Sequence, residues 1–200
     1  MKKLIIGTAN EAKVKQIRGA LASMGIEVTG VAGKELLPQI VEDGKTSLEN
    51  ARKKATAYAK ALGEVVLSMD NGLYLDGLRD EEQPGLNVRR LPGRSGRPSD
   101  EDLLAYYSGV INRLGGKVNG HWEFGICVAN PEGRTWETTI ISQRVFVGVP
   151  SPKSVPGYPL ESIQTDPETG KYISEMSQEE QDFFWQKAIG KKLCEFIQSI

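Results

Sequence analysis

Leu4-Ile5-Ile6-Gly7-Thr8-Ala9-Asn10-Glu11-Ala12-Lys13 decides the fold class of this 200-residue chain. Leu4 to Gly7 is an apolar run ending in glycine and reads as a strand; Thr8-Ala9-Asn10 is a polar turn. Val14, Ile17, Leu21 and Met24 then recur at helical spacing, with Gly25 as the stop. Ile26 to Val31 reads as a second strand. Thr46-Ser47-Leu48-Glu49 has capping-box spacing and opens a helix whose apolar face is Leu48, Ala51, Ala55, Tyr58, Ala59 and Leu62, ended by Gly63. Val65 to Leu67 is a short β-branched run, a third strand. Strand, helix, strand, helix, strand is the alternation of a layered α/β domain.

The rest of the chain is less regular. Asp80 to Asp100, rich in proline, glycine and charge, reads as an exposed loop, and Asp102 to Leu114 as a helix stopped by Gly115-Gly116. His121 to Ala129 and Thr135 to Val149 read as strands around the turn Asn130-Pro131-Glu132-Gly133. Ser151 to Lys171 reads as an ordered loop. Beyond Ser177, a helix carries Trp185, Ile189, Leu193, Phe196 and Ile200 on one docking face. Residues 1–200 are expected to form one domain with room for a core and a cleft.

Charged residues make up 26% of the chain yet the net charge is only -1, which argues against a nucleic-acid-coating or membrane-surface protein. Cys127 and Cys194 have no metal or redox spacing, so both are expected as reduced buried thiols. No apolar run reaches membrane-spanning length, and Met1 to Ile6 is too short for a signal peptide, so a cytoplasmic protein is expected. His121, the only histidine, has no acid or nucleophile at a catalytic spacing.

Three places could carry chemistry. The strand-to-helix junction Gly7 to Lys13 offers a helix start, which favours phosphate; a cation such as Lys13 in a first turn opposes the dipole unless an anion lies beside it. The alternative is that Asn10 is a plain cap and Lys13 is solvated. Glu42-Asp43-Gly44-Lys45-Thr46 precedes a helix; Glu42 is either a hard oxygen ligand for Mg²⁺ or a dipole partner. On that helix Asn50 and Lys54 share a polar face that either reaches a phosphate chain or faces solvent. Ser68-Met69-Asp70-Asn71-Gly72-Leu73 puts Asp70 at the carboxyl end of a strand, where α/β sheets bind ligands, although Asp-Asn-Gly is also a turn sequence. Together these make a minimal kit for metal-assisted phosphoryl chemistry.

Four blocks in register resemble the inosine triphosphate pyrophosphatase family, which hydrolyses non-standard purine nucleoside triphosphates. Thr8, Asn10 and Lys13 match a Thr-x-Asn-x-x-Lys block; Glu42, Gly44 and Thr46, then Glu49-Asn50-Ala51 and Lys54, match a second. Met69-Asp70-Asn71-Gly72-Leu73 stands where the family has Asp-Asp-Ser-Gly-Leu, and Pro84-Gly85 with Arg89 resembles Pro-Gly-x-x-Ser-x-Arg, with Asn87 in the serine position. The resemblance covers about the first ninety residues clearly and the remainder in patches.

The resemblance implies an elongated mixed central sheet with flanking helices, two lobes around an active-site cleft, and a homodimer. It implies Glu42 and Asp70 as ligands of Mg²⁺ (Mn²⁺ as substitute), with Asp70 also activating the attacking water. Thr8, Asn10, Lys13, Asn50, Lys54, Asn71 and Arg89 would bind the triphosphate. The base-reading half departs from the family. Pro156-Gly157-Tyr158-Pro159-Leu160 replaces Phe-Gly-(Tyr/Trp)-Asp-Pro, and Gln181 with Trp185-Gln186-Lys187 replaces the Lys and Ser-His-Arg positions. Tyr158, Gln181, Gln186 and Lys187 are thus the expected base contacts. Two alternatives stay open: a pyrophosphatase for a different modified nucleotide, and a nucleotide-binding sensor with little turnover.

Overall fold

A computed structural model describes residues 3–31 and 37–200 of the protein; Met1 and Lys2, at the head of the opening run, lie outside the described residues. β1 (Lys3–Ile6), α1 (Glu11–Ala20), β2 (Glu27–Gly30), α2 (Ser47–Leu62) and β3 (Val66–Leu75) follow the expected order. α3 (Asp100–Arg113), β4 (Lys117–Ala129), β5 (Thr135–Val147), β6 (Gln164–Thr165), α4 (Gln178–Trp185) and α5 (Lys191–Gln198) complete the chain. The described strands form one sheet in the order β2-β1-β3-β4-β5-β6. β1 runs parallel to β2 and β3, with Lys3 opposite Glu27 and Ile5 opposite Val66, and β6 runs antiparallel to β5. The mixed α/β class expected from the sequence is the one observed.

The helix ends follow from their caps. The Asn10 side chain accepts from the amides of Ala12 and Lys13, and Thr46 accepts from that of Glu49, so each opens its helix. Gly63 closes α2 in the left-handed conformation (φ 65), which glycine adopts without Cβ strain.

The chain packs as two compact units, one of Met1–Asn71, Glu123–Ile141 and Trp185–Ile200, the other of Gly72–Trp122 and Ser142–Phe184. In the first, Ala51, Ala55 and Ala59 put one methyl-lined stripe of α2 against Val66, Cys127 and Ala129, fully buried. Burial pushes the Cys127 thiol up to about 12, so it behaves as a small core residue; Cys194, by contrast, is only partly buried. In the second unit Leu103, Tyr107 and Ile111 of α3 pack on Leu73, Leu75 and Phe146. Arg144 is buried in this unit too, 4.6 Å over the Phe184 ring and donating to Ser142 Oγ and the Gln143 carbonyl.

Several local expectations are corrected. β3 continues through Asp70-Asn71-Gly72 to Leu75, so Asp70 lies inside a strand rather than past its end. The turn signal loses because Leu73 exchanges two 3.0 Å main-chain bonds with Gly85, which keeps the segment extended. The 80–100 segment is not all exposed: a 3-10 turn spans Asp80–Glu82, and Val88 and Leu91 are buried. The 151–171 segment contains a 3-10 turn at Pro159–Ile163 and the short β6. At the C-terminal end a π-helical turn, Gln186–Gly190, joins α4 to α5. It adds one residue to a turn, so the buried positions are Phe184, Ile189, Leu193 and Ile197 rather than Trp185, Phe196 and Ile200.

Candidate active site

In the first unit, one face of α2 gathers the acids. Asn50 Nδ2 donates to Asp70 Oδ2 at 3.0 Å, while its Oδ1 accepts from the Gly44 amide at 2.8 Å. Four residues on, one helical turn, Lys54 Nζ lies 3.1 Å from Glu42 Oε2 and 3.3 Å from Asp70 Oδ1. Asn50 and Lys54 are buried, 3% and 8% exposed, so neither is a solvated surface residue. Gly44 is required by this arrangement: a Cβ there would stand 2.6 Å from Asn50 Oδ1. The Glu42-bearing segment and β3 are therefore tied to one another through a single amide whose two ends face a donor and an acceptor.

The junction after β1 closes on the same region. Lys13 Nζ donates to the main-chain carbonyl of Met69 at 3.4 Å, which brings a second ammonium beside the residue preceding Asp70. Thr8 Oγ1 accepts from the Asn10 amide at 3.1 Å, and Ser68 Oγ donates to the Gly7 carbonyl at 3.2 Å. Asn10 already occupies the amides of Ala12 and Lys13, so the helix start offers its lysine more than its main chain. Further along, Ser47 Oγ donates to Glu123 Oε1 at 2.7 Å, fixing the first turn of α2 to β4. Sequence reading missed this last pair; Ser47 looks like an ordinary first-turn residue, and Glu123 lies 76 positions away.

Arg89 belongs to the second unit, where Nη1 lies 3.3 Å from Asp100 Oδ1 and Nη2 donates to the Gly157 carbonyl at 2.5 Å. Asp100 Oδ2 in turn accepts from the Gly157 amide at 2.9 Å, so Arg89 and Asp100 pin the turn before Tyr158. Counted strictly from Pro84, the Pro-Gly-x-x-Ser-x-Arg spacing falls on Val88 and the exposed Arg90 rather than on Asn87 and Arg89. Tyr158 is largely buried and its phenol is pushed well up by that burial, then by Glu161. Gln181 Nε2 makes long bonds to the Ile173 and Met176 carbonyls, 3.5 and 3.4 Å. Gln186 and the exposed Lys187 sit in the π-helical turn of the first unit. Asn71 ends the first unit's share of β3 and is partly buried. Met69, in the place of the family's first acid, is 3% exposed and apolar, a core residue.

Glu42 and Asp70 are hard oxygen donors already drawn to one cation, the Lys54 ammonium. Among the described residues no group of three or more acids, histidines or cysteines forms a metal cage. That donor set fits Mg²⁺, which takes one or two carboxylates and completes its shell with water and phosphate oxygens.

Residues 4–188 match the Ham1 family, well beyond the first ninety residues where the sequence blocks are clearest. A dITP/XTP pyrophosphatase of Exiguobacterium sp. is 37% identical over 135 residues, 66% of this chain and 65% of that protein. One of Leuconostoc mesenteroides subsp. mesenteroides is 31% identical over 204 residues and 96% of each chain. The match spans less than two thirds of the first relatives: 65%, 61% and 54% of those from Exiguobacterium, Rhodopirellula baltica and Streptococcus thermophilus. In fold, the Staphylococcus aureus Ham1 protein superposes with a TM-score of 0.71 at 22% identity, covering 99% of both chains. The chain belongs to the Ham1 family, and its resemblance to the inosine triphosphate pyrophosphatases is borne out.

Proposed function

We propose that this chain hydrolyses non-standard purine nucleoside triphosphates, such as inosine, deoxyinosine and xanthosine triphosphates, to the monophosphate and pyrophosphate. The observation that carries the reading is the convergence of Glu42, Asn50, Lys54 and Asp70 on one face of α2, with Lys13 at Met69. Relatives named dITP/XTP pyrophosphatase support the substrate class. On this reading residues 1–200 act as one pyrophosphatase domain on a small cytoplasmic nucleotide, as a homodimer, with no nucleic-acid or membrane partner. No helix among the described residues is long and apolar enough to cross a membrane.

Glu42 and Asp70 would hold Mg²⁺, with Mn²⁺ as substitute, and the bound ion supplies charge neutralisation on the triphosphate. A water attacks the α-phosphorus, and the bond from that phosphorus to its bridging oxygen breaks, releasing pyrophosphate. The Asp70 carboxylate takes the water's proton; Lys13 and Lys54 meet the charge gathering on the leaving group. Asn10 and Thr8 shape the junction that carries Lys13, and Asn71, in the same unit, extends the phosphate contacts. Gln186 and Lys187, in the same unit as these residues, face the base.

Asn50 is a positioning residue in this scheme, since both ends of its amide are spent on Gly44 and Asp70. Asn50→Leu is expected to lower kcat by about 10- to 100-fold, the usual cost of losing an orienting partner. KM for inosine triphosphate should stay within about threefold, because no substrate contact is removed. A rise in KM at unchanged kcat would return Asn50 to the phosphate-binding set.

The buried, apolar Met69 favours a second reading, a nucleotide sensor that binds without turning over. Measuring kcat/KM and Kd for inosine, xanthosine, guanosine, adenosine and deoxyuridine triphosphates with Mg²⁺ separates the two. The enzyme reading expects turnover, with inosine preferred over adenosine triphosphate by less than about 10⁴-fold, since amides replace a donor-only base pocket. Micromolar binding without turnover would establish the sensor.

A further inference from the structure

The Asp70 carboxylate is engaged at both oxygens: Oδ2 by Asn50, Oδ1 by Lys54. The two partners differ in kind. Asn50 is neutral, buried and anchored at its other end by Gly44, so it can stay in place through a reaction. Lys54 is a full positive charge on a flexible stem, shared between Glu42 and Asp70. We propose that the Lys54 ammonium is a resident cation of the Glu42–Asp70 pair, one that competes with a divalent ion and leaves for the triphosphate when substrate binds.

The physical case rests on charge. Two carboxylates brought together, Asp70 largely buried and Glu42 about half exposed, repel each other unless a cation lies between them, and Lys54, itself buried, supplies it at 3.1 and 3.3 Å. A divalent ion arriving at the same oxygens meets an ammonium a few ångström away, and like charges that close oppose each other strongly in a partly desolvated site. A triphosphate removes the conflict, because it offers the ammonium a new anionic partner just as the ion takes the old ones. Metal and nucleotide then bind cooperatively, each raising the other's affinity by the same factor. This inference rests on the proposed function for the identity of the anion, but its first half concerns the protein alone.

The test is Mn²⁺ binding without nucleotide, followed by water-proton relaxation, in the wild type, Lys54→Gln and Lys54→Arg. Glutamine keeps hydrogen-bond donors near both carboxylates but removes the charge, and arginine keeps the charge. Lys54→Gln is expected to bind Mn²⁺ about tenfold more tightly than wild type, with Lys54→Arg within about threefold of wild type, from the loss or retention of one nearby unit charge. Should Lys54→Gln be unstable alone, the same competition appears as a larger gain in Tm on adding Mn²⁺ than the wild type shows. Equal or weaker Mn²⁺ binding by Lys54→Gln overturns the inference. If that variant binds Mn²⁺ more tightly while no triphosphate is hydrolysed by the wild type, the competition stands and the proposed activity fails.

Discussion

Asp70→Asn is expected to lower kcat for inosine triphosphate by roughly 10² or more, the scale of losing a general base. The substitution keeps the side chain's shape and its acceptor for Asn50 Nδ2, so the orienting bond survives. With its amide oxygen kept toward Asn50, the new amide nitrogen takes the place of the oxygen facing Lys54, and the negative charge is removed. The fold should hold, because Lys54 keeps Glu42 as its partner and the flanking Ser68 and Met69 stay buried. Circular dichroism and Tm check the fold, and steady-state kinetics with saturating Mg²⁺ check the chemistry. Near-normal kcat would take Asp70 out of the reaction, and Asp76 would be the next acid to test.

The largest effect on stability is expected at Gly125, on β4. A Cβ there would lie 2.2 Å from the Leu48 amide nitrogen and 2.3 Å from the Ser47 carbonyl carbon, main-chain atoms that cannot rotate away. Gly125→Val must therefore push the first turn of α2 off the sheet, straining the Ser47–Glu123 bond on the same turn. Overpacking of this kind costs about 3 kcal/mol or more, which for a chain of this length lowers Tm by about 6–12 °C. Activity should fall as well, since Asn50 and Lys54 ride on the helix that moves. Gly109→Ala is the control: it lies inside α3, where a Cβ would meet only Arg113 Nη1 at 3.9 Å. Alanine there should raise stability by about 0.5–1 kcal/mol through helix propensity. Comparable Tm values for Gly125→Val and wild type would show that α2 is not held at this point.

Where the sequence was legible, a local signal and the tertiary environment agreed. Asn10, Thr46 and Gly63 mark helix ends because capping is decided within a few residues, and the alternation of β1, α1, β2, α2 and β3 follows from periodicity. Asp70-Asn71-Gly72 misled because its turn chemistry is overridden by pairing with Gly85, which no local pattern announces. The π-helical turn at Gln186–Gly190 was hidden for a similar reason: Trp185 and Ile189 are four apart, like any helical pair, whereas the buried pair is Phe184 and Ile189. At the candidate site the residues were legible through their blocks, but their relations were not. Asn50 and Lys54 were found as a polar face; that Asn50 answers to Gly44 and Lys54 to two acids depends on how β3 packs against α2. Arg89 shows the limit most plainly, since its partner Gly157 is 68 residues away.

The site of water attack tests the account most directly. Inosine triphosphate would be incubated with the protein and Mg²⁺ in ¹⁸O-labelled water and the products analysed by mass spectrometry. Attack at the α-phosphorus, with Asp70 taking the proton, predicts inosine monophosphate carrying one ¹⁸O and unlabelled pyrophosphate, with neither formed when the metal is chelated. Inosine diphosphate with labelled orthophosphate, or unlabelled monophosphate with labelled pyrophosphate, would contradict it.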